Sequence, residues 1–111
     1  MKVAVIGSRN ISVNNLENYL PEETAEIVSG GARGVDTSAR EYAQKSGLKL
    51  TEFLPDYARY GKRAPLLRND QIIDYADVVL AFWDGKSRGT AYVIEHCRKK
   101  NKKVEVHILN G

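Results

Sequence analysis

The sequence has a single cysteine, Cys97, which excludes an internal disulfide and any cysteine-rich zinc site. Its only two histidines, His96 and His107, form no metal-ligand spacing, so neither a metal nor a cofactor is expected. Long apolar runs are also missing. The opening stretch Met1-Lys2-Val3-Ala4-Val5-Ile6 is too short for a signal peptide or a membrane span. A cytoplasmic address with no membrane partner is the expectation. No internal repeat, low-complexity tract or interdomain linker interrupts the chain, and 111 residues suit one domain spanning 1–111.

A net charge of +3 suggests nucleic acid, but its placement argues otherwise. Arg98, Lys99, Lys100, Lys102 and Lys103 cluster in one stretch, and without them 12 basic residues face 14 acidic ones. The cluster falls at a predicted helix C-terminus, where cations complement the helix dipole. A solvated helix end is the favoured reading.

The remaining pattern is alternation. Lys2–Ile6 is a β-branched run ended by Gly7, and it reads as a buried first strand. Asn14 and Glu17 form a capping box for a helix carrying Leu16, Tyr19 and Leu20, closed by Pro21. Ala25–Val28 predicts a second strand, and Val35, Ala39, Tyr42 and Ala43 a helix capped by Gly47. Leu48–Leu54 predicts a third strand, followed by Pro55–Ala64, which shows no period. Pro65 suits the first position of a helix reaching about Ala76, with Leu66, Ile73 and Ala76 on one face. Asp77–Trp83 reads as a central strand. Gly89 and Thr90 open a last helix with Ile94 and Cys97 inward, and Val104–Leu109 closes the chain as a fifth strand. Strands separated by helices must run parallel, which predicts a three-layer α/β domain with a five-stranded parallel sheet flanked by helices.

In such a sheet every strand-to-helix loop lies on one edge, where ligands bind. That edge collects Gly7-Ser8-Arg9, Gly30-Gly31-Ala32-Arg33 with Asp36, the Pro55–Ala64 segment, and Ser87-Arg88-Gly89-Thr90, with Arg68 and Asn69 just inside the third helix. Glycines there admit a ligand close to the backbone, and first-turn amides attract an anion. The loops match neither the G-x-G-x-x-G fingerprint nor a P-loop. Each residue also has a plainer role. In that reading Gly7 serves only as a turn and Ser8 as a cap, Asp36 complements a helix dipole, and Asn69 bonds a neighbouring loop. Thr90 either caps the last helix or donates to a phosphate, and the two are compatible. Trp83, Tyr57 and Tyr60 offer stacking surfaces or ordinary rim packing. Cys97 lies inward and is expected to be inert.

Four ordered motifs carry a resemblance: Val5-Ile6-Gly7-Ser8-Arg9, Ser29 through Asp36, Tyr60-Gly61-Lys62-Arg63-Ala64 followed by Arg68-Asn69, and Ala81 through Thr90. The chain resembles the SLOG superfamily of Rossmann-like domains, which includes the DNA-processing protein DprA and the LOG phosphoribohydrolases, and more closely its small YspA- and YpsA-related members. The resemblance implies a site for a nucleotide-derived, phosphate-containing small molecule, often in a homodimer. Single-stranded DNA is the less favoured partner it implies. The LOG enzymes have a catalytic glutamate close after Gly-Thr, whereas Gly89-Thr90 is followed by Ala91, Tyr92 and Val93. The acid expected for N-glycosidic hydrolysis of a nucleoside monophosphate is therefore missing from its place, and no catalytic residue is assigned.

Overall fold

A computed structural model describes residues 1–109; Asn110 and Gly111, the last two positions of the expected domain, lie outside the described residues. Five strands form one parallel sheet: β1 (Lys2–Gly7), β2 (Glu26–Ser29), β3 (Lys49–Glu52), β4 (Val78–Trp83) and β5 (Val104–Ile108). The order is β3-β2-β1-β4-β5, so β1 is central and the winding direction reverses between β1 and β4. The register sets Gly7 beside Phe82, which brings the two loops leaving those strands together.

Burial on both faces explains the apolar runs. One face of the sheet, with Val3, Val5, Ile27, Leu80 and Phe82, packs on α1 (Val35–Ser46) through Val35, Ala39 and Ala43. The other, with Ala4, Ile6, Val28, Val79 and Ala81, packs on α3 (Ala64–Tyr75) and α4 (Arg88–Lys99). Cys97 is fully buried there, and burial pushes its thiol up to about 11, which suits an inert side chain. No helix among the described residues is long and apolar enough to cross a membrane.

Two local expectations are corrected, and one unperiodic stretch gains local structure. The Asn14–Glu17 capping box does not form; a single 3-10 turn at Leu16–Asn18 replaces the helix, and its preceding residue, Asn15, makes no side-chain cap. The residues that point inward here are Ile11, Val13 and Leu16, whose spacing suits no helix face. They anchor an irregular segment against α1, where the Val13 amide donates to Ser38 Oγ at 2.9 Å. The unperiodic stretch after Pro55 holds a one-turn helix, α2 (Tyr57–Tyr60), and a 3-10 turn, Gly61–Arg63, that runs into α3. Neither buries a residue, so the sequence there carries no hydrophobic period. Leu66 shares a helix face with the buried Ile73, yet it is 41% exposed. It lies two turns earlier, beyond the end of the sheet, where it borders a cleft.

Lys102 Nζ donates to the carbonyl of Ala76, just before β4, and Lys100 pairs with Asp74 at 2.8 Å. The basic end of α4 therefore sits at the N-terminal edge of the sheet, opposite the glycine-bearing loops.

Candidate functional site

Ser8 is the joint of the switch point. Its amide donates to the Phe82 carbonyl at 3.0 Å, its carbonyl accepts from the Val35 amide at 3.3 Å, and its hydroxyl accepts from the Asp84 amide at 3.2 Å. β1, β4 and α1 thus meet at one buried residue. The approach is close because Gly7 has no side chain: a Cβ there would lie 2.3 Å from the Phe82 carbonyl oxygen and 2.6 Å from Val35 Cγ2.

Arg68 straps the next loop from the other side of the sheet. Its Nη1 donates to the Gly30 carbonyl at 2.7 Å and weakly to that of Phe53, while Nε donates to Asn69 Oδ1 at 2.8 Å. A Cβ on Gly30 would strike the guanidinium at 2.6 Å and approach Asp36 Oδ2 to 3.1 Å. Gly30 therefore occupies the gap between a buried cation and a buried carboxylate. Asp36 Oδ2 also accepts the Ala32 amide at 3.1 Å, which folds the glycine loop back onto α1.

The three loops and α3 enclose a cleft of about 400 Å³. Of the residues singled out from sequence, Gly7, Ser8, Arg9, Gly30, Asp36, Arg68, Asn69, Ser87, Gly89 and Thr90 line it. Gly31 and Arg33 line a second cavity of about 450 Å³ that shares Arg9, Gly30, Ala32 and Arg68 with the first. Arg88 lines neither and is exposed. Thr90 is buried, and the cap of α4 is Ser87, whose Oγ accepts from both the amide and the hydroxyl of Thr90. Trp83 pins the same loop, its indole N–H donating to the Ser87 carbonyl at 3.0 Å. Glu95 lies away from the cleft, paired with Lys99 at 3.2 Å.

Asn10 and Asp84 belong to the same edge loops and also line the cleft, as does Leu66, though the sequence singled out none of the three as ligand-binding. Asp84 carried a usable signal, an acid directly after a strand and before Gly-Lys-Ser, the makings of an Asx turn. Its Oδ1 accepts the Ser87 and Lys86 amides, each at 2.8 Å, and these bonds hold the carboxyl below its usual range.

Asp36 behaves oppositely. Burial pushes its carboxyl above the ordinary value, against the pull of the Ala32 amide and of Arg68, and burial likewise pulls the Arg68 guanidinium below its ordinary value. A raised folded-state value means that the stability from Asp36 is fully present below its ordinary pKa of 3.8 and is lost as pH rises through the higher folded value. Asp36→Asn keeps an acceptor for Ala32 without the charge. In urea titrations from pH 3 to 7, the variant should match the parent in acid and become the more stable form as pH rises. Growing instability of the variant with pH would contradict this reading.

A family model described as DNA recombination-mediator protein A matches residues 1–56, just over half of the chain. That span carries the Gly7-Ser8-Arg9 loop and the Gly30–Asp36 loop; Arg68, Asn69 and Gly89 lie beyond it. No curated protein and no solved structure gives a match.

Proposed function

The chain belongs to the DNA recombination-mediator protein A family, and from that premise we propose that its switch-point cleft binds a nucleotide or nucleotide-derived small molecule through phosphate. Gly7, Ser8, Gly30, Gly89 and Thr90 hold phosphate or ribose there, with Gly31 in the adjoining cavity and Arg9, Arg33 and Arg88 as exposed cations of the surrounding loops. Arg68, Asn69 and Asp36 build the wall, and Ser87 presents the first turn of α4. The same proposal places the chain on the small YspA- and YpsA-related branch, as a cytoplasmic homodimer.

The observation that carries it concerns Gly89. Glycine within a helix is less favourable than alanine by up to about 1 kcal/mol. A Cβ at Gly89 would meet nothing within 4 Å among the described residues, and the residue borders the cleft. Packing among those residues supplies no reason for glycine here, whereas a ligand drawn against the first-turn amides does. Gly89→Ala should therefore leave the melting temperature unchanged or slightly raised, and weaken nucleotide binding at least tenfold. Calorimetric titration with AMP, ADP-ribose and NAD tests both halves. Silence of the parent protein across that panel removes the proposal, and undiminished binding by the variant removes the role of Gly89.

The family's description favours a second reading, contact with a DNA strand. Exposed Arg9, Arg33, Arg59 and Lys86 share this edge with exposed Tyr57 and Tyr60, a combination suited to single strands. That reading requires oligonucleotide affinity falling steeply with salt, which a mobility shift at 50 and 200 mM salt measures.

A further inference from the structure

The second cavity differs in chemistry from the first. Its outer wall is Leu54, Pro55 and Tyr57, and two of these are large side chains left open, Leu54 at 63% and Tyr57 at 56% exposure. They are held in place rather than loosely displayed. Leu54 Cδ2 fills the position where a Cβ of Gly31 would stand, 2.4 Å away, so the leucine lies flat against the glycine loop. Tyr57 begins a one-turn helix capped by Asp56, whose Oδ1 accepts the Arg59 amide at 3.1 Å, and that helix buries nothing. A capped turn that buries no residue but displays a ring over a cavity is explained by what the ring receives.

Between the cavities runs a ridge made of Gly30 and Ala32, with Arg9 and Arg68 bordering both sides. The Arg68 guanidinium is committed to the Gly30 carbonyl, whereas Arg9 is exposed and reaches either chamber. The ridge is thus a place for an anion between two chambers, one lined by glycines and amides and one by an aromatic ring and aliphatic groups.

We infer that the paired cavities take one two-headed ligand, a dinucleotide whose linking phosphates cross the ridge beside Arg9 while one ring stacks on Tyr57. This rests on the nucleotide reading of the first cavity and extends it to the second. Stacking on an exposed aromatic is worth enough to separate the two ligand classes clearly. NAD should bind at least tenfold more tightly than AMP. Tyr57→Ala should erase that advantage while leaving AMP affinity within twofold, and Tyr57→Phe should restore it. The exposure of Tyr57 makes both variants safe for folding. Equal affinities for AMP and NAD, unchanged by Tyr57→Ala, would overturn the inference and leave the first cavity's reading intact. Absence of binding by either ligand would overturn both. Tight, salt-sensitive binding of a ten-nucleotide DNA that depends on Tyr57, with no preference for NAD over AMP, would replace the dinucleotide by a strand.

Discussion

Arg68→Ala should destabilise the protein by about 3 kcal/mol, a fall in melting temperature of roughly 10–20 °C for a domain of this size. The loss has three sources. The Gly30 carbonyl, which accepts Nη1 at 2.7 Å in a buried setting, is left without this partner. The Phe53 carbonyl loses its weaker bond, and Asp36 loses the cation that offsets its burial. Arg68→Lys should recover only part of this, because one ammonium cannot reach the Gly30 carbonyl and Asn69 Oδ1 with the guanidinium's fork geometry. Ligand affinity should fall alongside stability in the alanine variant, since the loop strapped by Arg68 forms the ridge between the two cavities. Differential scanning calorimetry decides the point. A change under 1 kcal/mol would mean that the strap contributes little to the native state.

Gly7→Ala should be at least as damaging, at about 3 kcal/mol or more. The added Cβ would meet the Phe82 carbonyl oxygen at 2.3 Å, and that atom is fixed by the β1–β4 ladder. Val35 offers no escape on the other side, being fully buried at the start of α1. Strand or helix must move, and either movement opens the joint at Ser8. The contrast with Gly89→Ala is the informative part. The same substitution at two glycines of one cleft should strongly destabilise the protein in one case and spare it in the other, because Gly7, unlike Gly89, is hemmed in by the protein's own atoms. Denaturant midpoints of the two variants measured side by side test that contrast, and comparable stability of Gly7→Ala and the parent would refute it.

The layered sheet was legible because its three inner strands are buried on both faces, so Val3-Ala4-Val5-Ile6 and Val78 through Phe82 stand out as unbroken apolar runs. Convergence of the glycine loops followed from parallel strands alone. The stretch from Asn14 to Leu20 was misread as a helix because the inward residues around it answer to α1, a tertiary partner, rather than to a helical period of their own. Leu66 was misread for a related reason: periodicity tells which face a residue shares but not where the sheet beneath it ends. Arg68 was recognised as a residue of this edge, yet its work as a strap was hidden. Its acceptors are the backbone carbonyls of Gly30 and Phe53, 38 and 15 residues away, and no side chain in the sequence advertises a free carbonyl.

Amide chemical shifts recorded while AMP or NAD is added test the central claim most directly. Gly7 ends β1, Gly30 follows β2 and Gly89 opens α4 beyond β4, yet all three line one cleft, so their amide signals should move together along a single saturation curve. Movement confined to the basic end of α4, or three glycines that stay still while other surfaces respond, would contradict it.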